Sequence, residues 1–171
     1  LILTHPDADH IGGLASLKQA FDIQRILTPA GFRNHDGLKF AFQEAEVSES
    51  QVSFIDGATD IKFGDVSLHL DSRKWNLDEA DNDGSMFVHL NVRGATATLS
   101  GDAGGIAEMV VAGRYDWRAQ LMMDGHHGSQ TSTTQAWIEE VDPETAIISC
   151  GRNNSYGHPH ESVLGRLEQN N

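Results

Sequence analysis

The beginning of the chain reads as a strand followed by a helix. Residues 1–3 are all apolar and run directly into a polar segment at residues 4–10, which predicts a strand that ends in a loop. Apolar residues then recur at helical spacing and predict a helix from about Gly12 to Phe21. The residues that carry this spacing are Ile11, Leu14, Leu17 and Phe21. A short strand at 23–27 and a helix at 39–49 are predicted to follow.

The apolar period changes to two after residue 50, and this period is typical of strands. Alternating segments at 51–55, 59–63 and 66–70 predict hairpin strands. Asp56-Gly57 and Gly64-Asp65 are the turn signals between them. The middle of the chain is therefore predicted to be an antiparallel sheet.

Strands and helices alternate through the second half of the chain. After a polar loop at 71–84, segments 86–92 and 95–99 predict another hairpin, which turns at Arg93-Gly94. The remaining predicted elements are helix 106–112, strand 120–123, helix 134–141, a buried strand at 146–150 and helix 162–168. The pattern indicates an α+β fold, and residues 1–171 are expected to form a single domain.

Composition narrows the possible functions. The 171 residues carry 12 Lys and Arg against 25 Asp and Glu, for a formal charge of −13, which argues against tight, sequence-independent binding to long nucleic acid. No apolar run approaches the roughly 20 residues that span a bilayer. Cys150 is the single cysteine, so no internal disulfide forms, and we expect it to be a buried apolar residue. Trp75, Trp117 and Trp137 are expected to be packing residues.

Nine histidines are present, and several stand with carboxylates just after predicted strands. Strand ends often converge on one edge of a mixed α/β fold, so distant residues can share a site there. The segment from His5 to His10 holds two imidazoles and two carboxylates, a set that suits transition metals. Asp102 could bridge two divalent ions about 3.5–4 Å apart, and His127 could supply another imidazole. The candidate ligands are His5, Asp7, Asp9, His10, Asp102 and His127.

Each cluster also has a purely structural interpretation. Residues 5–10 could form a solvated turn in which Asp9 caps the next helix. Asp102 beside Gly101 could be a turn residue, and His126-His127 could be structural. His158 could be an ordinary loop histidine. The isolated histidines are interpreted as surface or sheet residues, and they are His35, His69, His89 and His160.

Four ordered motifs resemble the metallo-β-lactamase superfamily. They are THPDADHIGGL from Thr4, SGDA from Ser100, HHGSQTS from His126 and AIISCGRNNSYGHP from Ala146. Within the superfamily they most resemble the C-terminal hydrolase domain of ComEC, a family of DNA-uptake channel proteins. The stretch from Asn82 to Met86 also resembles that domain.

The resemblance implies an αββα sandwich with two divalent metal ions, zinc or manganese, at the edge of the two sheets. His5 and Asp7 would hold one ion and Asp9 and His10 the other. Asp102 would bridge them, and His127 would be the late histidine ligand, although His126 could exchange roles with it. The implied catalytic residues are His126, His158 and Asp9, and the implied substrate residues are Gly128, Ser129, Ser132 and Asn154.

Three features depart from the common superfamily pattern. Asp7 stands where histidine is usual, and a carboxylate there favours harder metals such as manganese. No histidine fills the superfamily's intermediate ligand position in residues 70–83. The chain also begins immediately before the first motif, where further strands are usual, so we expect it to be part of a longer protein.

The leading hypothesis is hydrolysis of a phosphodiester, with DNA among the candidate substrates, by attack of metal-bound hydroxide on phosphorus. One alternative is a free-standing hydrolase of another ester or a lactone. The other is a metal-poor binding or scaffold domain. A free-standing protein would be cytoplasmic, whereas part of a ComEC-type channel protein would be extracytoplasmic. The oligomeric state stays open.

Overall fold

Two β-sheets organise the chain, and the computed structural model describes them through residues 1–73 and 82–170. The small sheet pairs β1 (Ile26–Pro29) in parallel with β2 (Val52–Ile55). Ile2 forms an isolated parallel bridge to Leu27, so the first residues extend this sheet on its other side. The chain therefore enters the small sheet before it reaches the first polar motif.

The large sheet has six strands, which follow one another in chain order. The first four form an antiparallel meander, and the last two add in parallel. Its strands are β3 (Gly57–Phe63), β4 (Val66–Ser72), β5 (Phe87–Val92), β6 (Ala95–Leu99), β7 (Leu121–Met123) and β8 (Thr145–Ile147). The predicted 59–70 and 86–99 hairpins are confirmed.

Six α-helices flank the two sheets within the described residues. They are α1 (Ala8–Ile11), α2 (Leu14–Ala20), α3 (Asp36–Glu44), α4 (Gly105–Val111), α5 (Gln135–Val141) and α6 (Glu161–Gln169). Short 3-10 turns lie at Ala30–Phe32, Glu49–Gln51, Asn82–Gly84 and Gly125–Gly128. Among the described residues, none of the helices is long and apolar enough to cross a membrane.

Alternating side chains on the strands show the order of the layers. In β1, Ile26 packs with α1, α2 and α3, whereas Leu27 packs toward the large sheet. In β5, Val88 belongs to the cluster between the sheets, and Phe87 packs with Trp117 and the helices on the far face. The order is therefore helices, small sheet, large sheet, helices. This arrangement confirms the predicted α+β sandwich.

The two helices predicted in the first part of the chain have other bounds in the structure. The helix predicted from Gly12 to Phe21 is broken, because α1 ends before two glycines, whose helix propensity is low, and α2 begins after them. Phe21 is 64% exposed, so it does not belong to the buried face. The predicted helix at 39–49 begins and ends earlier, as α3, and Phe40 is also exposed.

The hairpin predicted around Asp56-Gly57 does not form. The strand before it is β2, which pairs with β1 in the small sheet, and the strand after it is β3 in the large sheet. Gly57 has φ 79°, a left-handed conformation that glycine adopts without steric cost, and it passes the chain between the sheets. Asp56-Gly57 therefore marks a change of direction as predicted, but the strands on its two sides pair with β1 and β4 rather than with each other.

The buried strand predicted at 146–150 is an exposed edge strand. It is shorter, as β8, and its Ile147 is 45% exposed. Cys150 is exposed too, which contradicts its predicted burial. The packing role of Trp117 and Trp137 is confirmed because both are almost fully buried in one core cluster. Trp75 lies outside the described residues, as do positions 74–81 of the predicted loop.

Candidate metal centre

Four polar segments converge where strands of both sheets end. The loop after residues 1–3 is joined to the large sheet by a hydrogen bond that the Met86 amide donates to the Thr4 carbonyl. Asp102 follows β6, and the turn that holds His126 and His127 follows β7. His158 lies beyond β8, with its ring centroid 6.0 Å from that of His126. The topology thus brings the four sequence motifs to one edge.

Asp102 is the centre of this cluster. Its carboxylate oxygens lie 3.2 Å from His10 Nε2, 3.4 Å from His127 Nε2 and 3.6 Å from His5 Nε2. His126 Nε2 is a little farther away, at 3.9 Å. Burial disfavours the charged form, but the neighbouring imidazoles of His10 and His5 hold the pKa of Asp102 far below its ordinary value. A buried carboxylate is thus kept ionised among imidazoles.

Two overlapping groups of donor atoms could each hold a metal ion. His5, His10 and Asp102 form one group, and Asp9, His10 and His127 form the other. Within each group, the donor atoms lie within 4.8 Å of one another. His10 belongs to both groups. Asp7 lies beside them, with Oδ2 3.9 Å from His5 Nε2.

The donor atoms fit divalent ions. His5 is almost fully buried, yet its Nε2 atom has no hydrogen-bond partner in the described part of the chain. An unpaired buried nitrogen is costly unless something binds it. The mixture of imidazole nitrogen and carboxylate oxygen suits zinc or manganese. Clustered carboxylates also repel one another unless a cation screens them.

His126 and His127 diverge because their backbone is left-handed. Their φ angles are 49° and 57°, values that residues with a Cβ seldom adopt, and Gly128 follows with φ 83°. The His126 amide donates to the Gly101 carbonyl over 3.0 Å, which fixes this turn against the Asp102 turn. Adjacent imidazoles therefore reach different partners. Strained conformations of this kind concentrate at functional sites.

The two histidines have distinct surroundings. His127 Nε2 lies 3.2 Å from an Asp9 carboxylate oxygen, and its Nδ1 donates a hydrogen bond of 2.8 Å to the Ser149 carbonyl. His126 Nε2 lies 3.3 Å from the Asn82 amide nitrogen. Burial lowers the pKa of His126, so its neutral form is favoured. His127 is therefore the better placed of the two as a ligand, and His126 stands next to His158.

The buried Glu108 and the half-buried Arg166 hold the segment after this turn, at residues 129–134. The Glu108 carboxylate accepts hydrogen bonds from the amides of Thr133 and Thr134 over 2.6 and 2.9 Å. Arg166 donates to the carbonyls of Ser132 and Thr133, both over 2.9 Å. The carboxylate thus binds backbone amides of this segment, and the guanidinium binds its backbone carbonyls. The histidine turn is anchored by both α4 and α6.

The four predicted substrate residues all make contacts within the protein. Gly128 is buried against Pro159, and a Cβ there would lie 2.7 Å from the proline Cβ. The Ser132 hydroxyl donates to the Gly125 carbonyl, and the Ser129 hydroxyl pairs with that of Thr131. Asn154 orders its own loop. Their contact with substrate stays a prediction.

Sequence reasoning did not assign several residues around the site. Asn82 contacts His126, and its neighbour Asp83 accepts a hydrogen bond from the Gly104 amide. The Ser85 hydroxyl accepts from the amide of Asp102. The one available signal was the resemblance of residues 82–86, because an irregular polar loop has no periodicity to interpret. Asp124 is a buried carboxylate whose burial raises its pKa to about 6.

The four isolated histidines stay out of the donor groups. His69 and His89 are cross-strand neighbours in β4 and β5, which confirms them as sheet residues. His69 stacks on Tyr115, with ring centroids 3.6 Å apart. His160 caps α6 by accepting a hydrogen bond from the Ser162 amide.

Known proteins resemble the chain at both the sequence and the fold level. The family profile of the metallo-beta-lactamase superfamily matches residues 1–152. ComE operon protein 3 of Bacillus subtilis is 31% identical over 99% of this chain, and Recombination protein 2 of Haemophilus influenzae is 31% identical over 99%. Competence protein ComA of Neisseria gonorrhoeae is 31% identical over 98%. The chain spans about a fifth of the length of these relatives, between 20% and 22%.

A solved structure supports the fold independently. The zinc-bound PqqB of Methylobacterium extorquens aligns with 99% of this chain and 68% of its own, at a TM-score of 0.54. The sequence identity is 14%, so this likeness concerns the fold alone.

Proposed function

Because the chain belongs to the metallo-β-lactamase superfamily, we propose that it is a metal-dependent hydrolase of phosphodiesters. The observation that carries the proposal is the set of donor atoms around Asp102, with the His126 and His158 pair beside it. A binding or scaffold domain has no need for a buried ionised carboxylate among three imidazoles. A hydrolase uses such a set to hold cations at the scissile bond.

The proposed roles follow from the donor groups. His5, His10 and Asp102 would hold one divalent ion, and Asp9 and His127 would hold a second with the shared His10. Divalent ions bound there would supply Lewis acidity to phosphate oxygens and a nucleophile at neutral pH. Asp7 lies next to the first group and adds negative charge to it.

The protein's own groups would position the phosphodiester and complete the proton transfers. His126 and His158 are close enough for one phosphate group to contact both imidazoles. Burial lowers the pKa of His126, so at neutral pH it accepts rather than donates a proton. His158 would give a proton to the departing alkoxide. Asn82 orients His126 through the 3.3 Å contact between their side chains.

DNA is the phosphodiester that we propose first, because the relatives include proteins named for competence and recombination. The net charge of −13 opposes approach of a polyanion. Bound cations would reduce this repulsion at the site itself. We therefore expect DNA to be engaged near the metal centre rather than across a broad basic face.

The test is hydrolysis of bis(p-nitrophenyl) phosphate and of single-stranded DNA by the purified chain, with zinc or manganese and with chelator. Asp102→Ala should abolish both activities, because the carboxylate belongs to the cluster's centre. Asp65→Ala is the matched control, since this exposed carboxylate lies in the β3–β4 turn at the opposite end of the sheet. Unchanged activity in Asp102→Ala, or turnover of lactones alone, would contradict the proposal.

A further inference from the structure

The loop from Ser149 to His158 borders the histidine turn at both of its ends. At its start, the Ser149 carbonyl accepts the hydrogen bond from His127. At its end, the ring of His158 lies edge-on to that of His126, at 77°. Side chains in the middle of this loop therefore lie between two segments that both contact the histidine turn.

Asn154 makes this loop a defined structure. Its side-chain amide donates to the carbonyls of Gly151 and His158, both over 2.7 Å. Its side-chain oxygen accepts from the amides of Tyr156 and His158, over 3.1 and 2.9 Å. One side chain thus joins the two halves of the loop. Residues between them are held in place before any ligand arrives.

Tyr156 is presented to solvent by this ordered loop. It is 80% exposed, the highest value among the exposed large apolar and aromatic residues of the described chain. Its ring stacks on that of His158 with an interplanar angle of 27° and a centroid separation of 5.7 Å. The rings of Tyr156, His158 and His126 therefore form a continuous series from solvent to the metal centre. The outer face of the tyrosine is left open.

The same loop also carries an exposed arginine. Arg152 lies in the turn at the start of the same loop and is exposed. No ion pair or side-chain hydrogen bond involves it among the described residues. Other exposed arginines, such as Arg93 and Arg118, are paired with carboxylates. Arg152 and Tyr156 are both exposed residues of the one loop that the Asn154 side chain holds together.

We propose that Tyr156 stacks on a base of a single-stranded polynucleotide while Arg152 contacts a phosphate of the same strand. Aromatic rings stack on every base, and this interaction needs no particular sequence. A duplex keeps its bases within the stack, so this contact favours single strands or frayed ends. The inference rests on the proposed phosphodiesterase function, because it names the substrate that would enter that site.

The experiment measures binding of a labelled, cleavage-resistant phosphorothioate oligothymidylate by fluorescence anisotropy, with zinc or manganese present. Tyr156→Ala should raise the Kd by at least about fivefold, and Tyr156→Phe should keep most of the affinity, because the ring is retained. Phe63→Ala removes an exposed aromatic residue at the far end of the sheet and should leave the Kd unchanged. Arg152→Gln should weaken binding and reduce its salt dependence.

Two further probes identify what the ring recognises. An abasic strand of equal length retains the phosphates, so it should bind the protein and Tyr156→Ala with the same affinity. Oligouridylate beside oligothymidylate distinguishes RNA from DNA. Equal Kd values for the protein and Tyr156→Ala on the base-containing strands, or no binding at all, would overturn the inference. If bis(p-nitrophenyl) phosphate is still hydrolysed in that case, the proposed function stands without it.

Discussion

His10 and His127 are 117 residues apart in the chain, yet their Nε2 atoms lie 3.1 Å apart. The His10 imidazole belongs to α1, which packs on the small sheet, and the His127 imidazole belongs to the turn after β7 of the large sheet. Two ring nitrogens directed at each other and at shared carboxylates form a chelating arrangement. The candidate metal centre therefore depends on correct docking of the two sheets.

The shared position of His10 predicts an unequal effect of histidine substitutions on metal content. His10→Ala removes a donor from both groups, so most of the metal should be lost. His127→Ala removes a donor from one group, and about one ion per chain should remain. Elemental mass spectrometry of the dialysed proteins measures both values. His160→Ala is the control, and equal losses in His10→Ala and His127→Ala would refute the two overlapping groups.

A pair of glycine substitutions separates backbone strain from close packing. Gly57 and Gly128 have similar φ angles, 79° and 83°, but a Cβ meets nothing within 4 Å at Gly57. Gly57→Ala should cost about 1–2 kcal/mol, from the left-handed conformation alone. Gly128→Ala should cost more, because its Cβ would lie 2.7 Å from that of Pro159.

Urea denaturation of the two glycine variants gives the free energies of unfolding. Metal content provides a second readout, since the Gly128 substitution displaces the histidine turn and the Gly57 substitution does not. Equal losses of stability in the two variants would show that the contact with Pro159 relaxes freely.

Removal of the Glu108 carboxylate should destabilise the chain strongly. Glu108→Ala leaves the amides of Thr133 and Thr134 without their acceptor, and we expect a loss of about 3 kcal/mol. Glu108→Gln retains one acceptor oxygen and should lose less. Glu144→Ala, at an exposed position, is the control. A small effect in Glu108→Ala, comparable with that control, would show that water replaces the carboxylate.

The raised pKa of Asp124 predicts that the free energy of unfolding of the metal-free protein depends on pH. Burial raises its pKa from 3.8 to about 6, so the folded state retains a proton that the unfolded state has released between these values. The free energy of unfolding should therefore fall as pH rises from 4 to 6, by up to about 3 kcal/mol. Above pH 6 this contribution should be constant.

The matching variant is Asp124→Asn, which cannot ionise. Its free energy of unfolding, measured by urea denaturation in the presence of chelator, should lack the decline between pH 4 and 6. The difference between the two pH profiles isolates the carboxyl from every other titrating group. Parallel profiles for the protein and the variant would contradict the raised pKa.

Local sequence patterns predicted the elements that are made by local contacts. The hairpin of β5 and β6 follows directly from alternating apolar residues and the Arg93-Gly94 turn. The pairing of β2 with β1 could not be predicted in this way, because α3 separates the two strands in the chain. Cys150 was predicted to be buried from its apolar run alone, but burial depends on whether another layer covers that edge.

The sequence predicted which segments form the site but not how their side chains are arranged. Motifs at strand ends indicated that His5, Asp102 and His127 would converge. The sharing of His10 between two groups could not be inferred, because adjacent ligands in a short segment do not reveal which way each side chain points. The different directions of His126 and His127 likewise depend on a left-handed backbone that neither residue type favours.

The hydrogen bond from His127 to Ser149 selects the tautomer of the imidazole. With its proton on Nδ1, the ring presents the Nε2 lone pair to Asp9 and Asp102, which is the form that coordinates a cation. The acceptor is a main-chain carbonyl, so every residue type at position 149 can provide it. Substitution of Ser149 therefore cannot remove this selection directly, and only a displacement of the backbone beyond β8 can.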